Sequence, residues 1–167
     1  MESVTGTSGV PAAVVTVSDR AAAGVREDAS GPLAVRMLRE AGCLVGEPAV
    51  VPDGADSVQG AISSALAAGA RLVVTTGGTG IGPRDRTPEG TRPLLERELP
   101  GIGEQLRRAP APGALLSRGL AGVALGAAGP ALVVNLPGST GGVRDGVTLI
   151  AGVLSHAIAQ LDGGDHA

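Results

Sequence analysis

No phenylalanine, tyrosine or tryptophan occurs among the 167 residues, and all thirteen basic residues are arginine. Without aromatic rings the core must be packed from Val, Leu, Ile, Ala and Met, forgoing the large area a ring buries. No ring is there to stack a nucleobase either, which counts against recognition of single-stranded nucleic acid. Without lysine there is no Schiff-base former, no amine nucleophile and no P-loop cation. Both absences fit a GC-rich coding bias. The single cysteine, Cys43, has no partner within the chain and no neighbouring ligand set, so a disulfide scaffold and a zinc site are excluded. It reads as a small apolar residue opening a strand. The net charge of −3 comes with no basic stripe, so a nucleic-acid footprint is missing. The opening MESVTGTSGV lacks the basic-then-apolar pattern of a secretory signal. No apolar run is long enough to span a bilayer. The expectation is a soluble, cytoplasmic protein with neither nucleic acid nor membrane as partner.

What is present is a 43% hydrophobic chain with turn residues throughout, as a globular fold requires. Apolar runs at 12–17, within 44–51, at 71–76, 120–125 and 131–136 read as strands. Their continuity suits burial on both faces of a parallel sheet. Between them lie helical patterns. One is capped by Ser30, with Pro32 in its first turn and the acidic pair Glu27 and Asp28 near its dipole. Others cover about 56–68, from Pro88 to about Leu99, 103–109 and 143–161. The expected fold is a three-layer α/β/α arrangement around a mostly parallel sheet, with 120–125 and 131–136 as an antiparallel hairpin. One domain covers 10–163, with 1–9 and 164–167 as flexible termini.

In an open parallel sheet, ligands bind beyond the carboxyl ends of the strands. Three such ends carry loops of interest: VVPDGAD, TTGGTGIGPRDRTPE and NLPGSTGG. In the second, Gly77, Gly78, Gly80 and Gly82 let the backbone turn tightly and approach a ligand, Thr79 adds a hydroxyl, and Asp85 sits between Arg84 and Arg86. This is a phosphate cradle with a carboxylate beside it. Like charges repel, so a divalent metal between phosphate and Asp85 resolves the conflict. Asp53, at the end of the neighbouring strand, is in reach of the same metal or substrate. The competing reading is that the glycines only make a turn and Asp85 only caps the Pro88 helix. In the third loop Pro137 and Gly138 make the turn, and Ser139 or Thr140 caps the last helix. Arg118 either binds an anion or faces water, and His156 and His166 are assigned to structure or solvent.

Taken together these motifs resemble the molybdopterin-binding proteins, a family that includes the molybdopterin adenylyltransferases. The matching pieces are TVSDRAAAGVREDASG (16–31), VPDG (51–54), TTGGTGIGPRDRTPE (75–89), PGIGEQLR (100–107), LLSRGLAG (115–122) and NLPGS (135–139). The resemblance implies an α/β/α fold, usually a homotrimer, which transfers the adenylyl group of ATP to the terminal phosphate of molybdopterin with Mg2+ and releases pyrophosphate. It places the family's two functional aspartates, catalytic and metal-holding, on Asp53 and Asp85. Phosphate, nucleotide and pterin contacts fall on Ser18, Asp19, Gly77, Gly78, Thr79, Gly80, Arg84, Glu104, Ser117, Arg118, Pro137, Gly138 and Ser139. Contact with a molybdenum-insertion protein is also implied. Many relatives carry a basic residue before the last strand, where this chain has only Leu125, Gly126, Ala127 and Ala128. Arg118 and Arg144 are the candidates to replace it. The alternative to the enzyme is a carrier that binds the pterin without chemistry, and a nucleotide-salvage domain is a more distant third.

Overall fold

The computed structural model describes residues 8–164. The segments 1–7 and 165–167, with His166 and most of the termini expected to be flexible, lie outside the described residues. A seven-stranded sheet forms the middle layer. β1 (Pro11–Val17) runs parallel to β4 (Leu72–Thr76), and β4 runs parallel to β7 (Gly129–Leu136). On the other flank of β1, two short strands pair with successive parts of it, β2 (Leu44–Val45) low and β3 (Ala49–Val51) high. Beyond β7 the direction reverses. β6 (Ala121–Gly126) pairs antiparallel with β7 as the expected hairpin, and β5 (Leu95–Glu98) closes that edge antiparallel to β6.

Strand periodicity divides the core in two. Val14, Leu72, Val74, Leu132, Val134 and Leu136 face one side. There they meet Leu33 and Leu38 of α2 (Ser30–Glu40) and Val147, Ile150 and Leu154 of α7 (Thr140–Leu161). The intervening Val15, Val73 and Val133 face the other side, covered by Val58, Ile62 and Leu66 of α3 (Ala55–Ala67). The helices thus form a layer on each face. Both cores are aliphatic throughout, as an aromatic-free composition dictates, and Met37 only packs at the margin. Cys43 is buried immediately before β2, and burial pushes its thiol up.

Five details depart from the sequence reading. Ser30 is the first residue of α2 rather than its cap; the capping oxygen is Asp28 Oδ1, which accepts from Gly31 N at 3.0 Å. The helix expected from Pro88 to Leu99 is a single turn, α4 (Thr87–Thr91), followed by a 3-10 turn over Arg92–Leu94 and then by β5. Pro93 lacks the N–H a continuing helix needs, and the open edge of β6 takes the chain as a strand instead. The second strand is broken into β2 and β3. Two one-turn helices were not foreseen, α1 (Asp19–Ala22) and α6 (Pro112–Leu115), and the helix expected at 103–109 begins earlier, as α5 (Pro100–Arg107). The rim survives these changes. β1, β3, β4 and β7 are parallel, so Val17, Val51, Thr76 and Leu136 end on one side of the sheet.

Candidate active site at the carboxyl rim

The glycine-rich loop leaves β4 at Thr76. Gly77 and Gly78 take φ of +92° and +68°, in the left-handed region where a side chain is strained. Space forbids one as well. A Cβ on Gly77 would run into the carbonyl oxygen of Val17, and one on Gly78 into the Thr87 hydroxyl, 3.3 Å from Asp53 Oδ1. Thr87 fastens the loop from below: its hydroxyl donates to Gly77 O at 2.9 Å and its N–H to Gly78 O at 3.0 Å. Gly138, from the loop after β7, lies against Gly77, so a Cβ there would sit 3.3 Å from Gly77 Cα. The second and third loops of the sequence reading therefore touch.

Asp85 folds back over its own loop, and its Oδ2 accepts from Gly82 N at 2.9 Å. It does not cap α4, where Arg86 holds the N-cap position without a side-chain bond. With five residues α4 brings only one turn of dipole to the loop. Asp53 and Asp19 clasp each other: Asp19 N donates to Asp53 Oδ2 and Asp53 N to Asp19 Oδ1, both at 3.0 Å. Arg84 then forks onto Asp19, with Nε and one terminal nitrogen at 3.0 Å from its two oxygens, and reaches Asp53 O at 3.2 Å. The guanidinium hydrogen bond holds the Asp19 carboxyl below its ordinary value. Asp53 shifts the opposite way. Burial raises it, and the charges of Asp19 and Asp85 add to the rise against the hydrogen bond from the Asp19 backbone. An acid pushed up by burial and by neighbouring carboxylates is a common mark of a working site.

Arg118, expected as an anion contact, is occupied. It donates to Gly80 O and Asp85 O, both at 2.9 Å, and to Glu89 Oε1 at 2.6 Å. Burial raises the Glu89 carboxyl, but the bonds and charges of Arg118 and Arg86 outweigh it and leave the group below its ordinary value. Arg118 thus staples the loop through three of its donors. Arg144 lies beside Arg108 in a hollow between α5 and α7 that contains no residue of the aspartate cluster.

The rim brings together Ser18, Asp19, Asp53, Gly77, Gly78, Gly80, Arg84, Asp85 and Gly138. Thr79 is buried in the loop. Ser117 and Pro137 line a small hollow under α5, and Ser139 caps α7 through a bond from Gly142 N at 3.1 Å. Glu104 is exposed on α5 and belongs to neither the hollow nor the cluster.

Beside the cluster lies a cavity of about 550 Å³, walled by the end of β1, α1, the loop before α2 and the first turn of α7. Ser18, Gly138 and Ser139 are the expected residues in its lining. Thr16, Arg26, Asp28, Ser30 and Thr76 also line it and were not singled out as site residues. Asp28 carried a signal, being acidic before a helix, but that signal is shared by any helix start.

The family model for a probable molybdopterin-binding domain matches residues 13–156. The chain belongs to that family. Within it, this chain is 40% identical to a molybdopterin adenylyltransferase of Pyrococcus furiosus, over 87% of each chain. It is 41% identical to a molybdenum cofactor biosynthesis bifunctional protein of Synechococcus elongatus, where 95% of this chain spans half the length of the relative. The solved structure of a molybdopterin biosynthesis protein from Mycobacterium abscessus superposes with a TM-score of 0.83 at 43% identity, over 92% of this chain and 96% of that one. Molybdenum cofactor biosynthesis and molybdopterin binding are thus properties of the domain family to which the chain belongs. Among the described residues no helix is long and apolar enough to cross a membrane.

Proposed function

We propose that the protein is a molybdopterin adenylyltransferase, with residues 10–163 as its one working domain. A terminal phosphate oxygen of molybdopterin attacks the α-phosphorus of ATP, the bond to the β-phosphate breaks, and pyrophosphate leaves with the displaced electron pair. The observation that carries this reading is the meeting of Asp53 and Asp85 over one glycine loop at the rim. A carrier of an anionic pterin gains nothing from two carboxylates there, whereas phosphoryl chemistry needs charge neutralised between two anions.

Mg2+ suits the donors. Among the described residues there is no group of three or more His, Cys, Asp or Glu side chains able to hold a metal. Asp53 Oδ1 and Asp85 Oδ1 accept no hydrogen bond from the described residues, and each leaves one oxygen for a cation that keeps water and substrate phosphate as its other ligands. When bound, the ion supplies positive charge between the two phosphates. The protein's part is placement. Gly77 and Gly78 allow backbone approach, Thr87 and Arg118 hold the loop in shape, and Arg84 orients Asp19 against Asp53. The reading also carries a homotrimer, contact with a molybdenum-insertion protein, and a cytoplasmic setting.

Asp85→Asn tests it. The amide keeps the shape and the bond from Gly82, so the melting temperature should hold. Pyrophosphate release with ATP, Mg2+ and molybdopterin should fall by about 10²–10³, with pterin affinity unchanged or tighter. Full activity in this variant at ordinary Mg2+ would sink the mechanism.

A further inference from the structure

The sequence offers Arg118 and Arg144 as candidate phosphate contacts. Arg118 is bound to loop carbonyls and Glu89, and Arg144 lies outside the site. Arg84 is forked onto Asp19. The cavity beside the aspartate cluster nevertheless has an arginine in its lining. Arg26 lines it, exposed, with its charged group free of any partner among the described residues. Its backbone N–H is tied to Arg20 O at 3.3 Å, and Val25 N reaches the same oxygen at 2.9 Å. The loop is thus fastened to α1 at one end.

Asp28 fastens the other end, from within the cavity wall. One oxygen accepts from the Thr16 hydroxyl of β1 at 2.7 Å. The other accepts from Gly31 N at 3.0 Å and from the Ser30 hydroxyl at 3.4 Å, and Ser30 in turn shares a buried hydrogen bond of 2.9 Å with Thr76 of β4. A Cβ on Gly31 would collide with the Thr16 hydroxyl and with Asp28 Oδ2, so the packing at this anchor is close. The Asp28 charge is answered by these donors, which leaves Glu27 as the one unanswered acid of the lining. The starts of α2 and α7, helices of eleven and 22 residues, border the same space through Ala29, Ser30, Ser139 and Thr140.

We propose that Arg26 is the cation that contacts a substrate phosphate in this cavity, and that Asp28 is a positioning residue that acts through it. The inference rests on the adenylyltransferase reading for the identity of the phosphate, which belongs either to ATP or to molybdopterin. Arg26 lies on an exposed loop whose direction is set by the Asp28 anchor to β1. Loss of the anchor should therefore cost the same affinity as loss of the guanidinium.

The test is calorimetric titration of the full chain with ATP and, separately, with molybdopterin. Arg26→Gln is expected to keep the wild-type melting temperature, to weaken one of the two ligands about tenfold, and to flatten the salt dependence of that binding. Asp28→Ala should weaken the same ligand. The double variant should bind no more weakly than Asp28→Ala alone, a non-additivity that a purely structural cap does not produce. If Asp28→Ala fails to fold, Thr16→Val cuts the same anchor while leaving the bond from Asp28 to Gly31, and it takes the place of Asp28→Ala in the cycle. Loss on the ATP arm assigns the contact to the nucleotide, and loss on the pterin arm assigns it to the pterin. Unchanged affinity for both ligands in Arg26→Gln, or multiplying losses in the double variant, overturns the inference. A wild-type chain that binds neither ligand overturns the adenylyltransferase reading first and the inference with it.

Discussion

Two carboxylate groups stand near the same rim of the same sheet, and they are answered differently. Asp19 and Asp53 meet a guanidinium and each other's backbone. Asp28 meets two hydroxyls and an amide. A carboxylate bound by an exposed arginine can exchange that partner for another cation with little loss, because exposed ion pairs contribute only about 0–1 kcal/mol. A carboxylate wired to strand and helix by neutral donors is part of the frame. The difference separates carboxylates open to a new cation from one built into the frame, although all three are aspartates in loops or helix starts near one rim.

The glycine loop joins the two groups, so breaking it should do the most damage. Gly77→Ala demands a left-handed backbone from alanine and drives its Cβ into a β1 carbonyl that cannot move without the sheet. A loss of about 3–5 kcal/mol in urea-unfolding free energy is expected. A loss below 1 kcal/mol would mean that the loop is not seated on β1.

The next test sets the two aspartates against each other. Asp28→Asn puts an N–H where an oxygen accepts from Thr16 or from Gly31, and should cost about 1–2 kcal/mol. Asp53→Asn should cost nothing and should raise the melting temperature slightly at neutral pH. The sign follows from the raised acid: a carboxyl that binds its proton more tightly when folded stabilises the protein below its unfolded pKa of 3.8, and that contribution is lost as pH rises through the folded value. At pH 7 the charged Asp53 is therefore a burden on folding, which the amide removes along with activity. Equal melting temperatures for the two variants across pH would erase the distinction drawn here.

Much of this was legible beforehand. β1, β4 and β7 were visible because strands buried on both faces are unbroken runs of Val, Leu and Ala. The glycine loop was visible because positive φ and close approach admit little else, and Asp85 was adjacent to it. β5 was not, because Leu94, Leu95 and Leu99 among charged residues follow a helical rhythm, and only the vacant edge of β6 together with Pro93 decides for a strand. The cavity was missed for another reason. Thr16, Arg26, Asp28, Ser30 and Thr76 come from several places in the chain, and singly each is an ordinary cap, strand-end hydroxyl or exposed loop arginine. Arg118 was noticed, but nothing in the sequence shows that three of its donors bind two loop carbonyls and Glu89.

The smallest expected effect concerns that staple. Glu89 lies below its ordinary 4.5 because Arg118 and Arg86 favour its charge. A lowered carboxyl contributes stability above its unfolded value and loses it as pH falls through the folded one. Stability should therefore decline from about pH 4.5 downward in the wild type, and less steeply in Glu89→Gln. Parallel acid limbs in the two proteins would show that Arg118 holds the loop through the carbonyls alone.

A core assembled without a single aromatic ring has an optical consequence. The folded protein is nearly transparent in the near ultraviolet, where adenine and pterin rings both absorb strongly. Any ligand at the rim is then seen against a dark background, and the chromophore that survives purification or titration reports directly on which half of the reaction the site is holding.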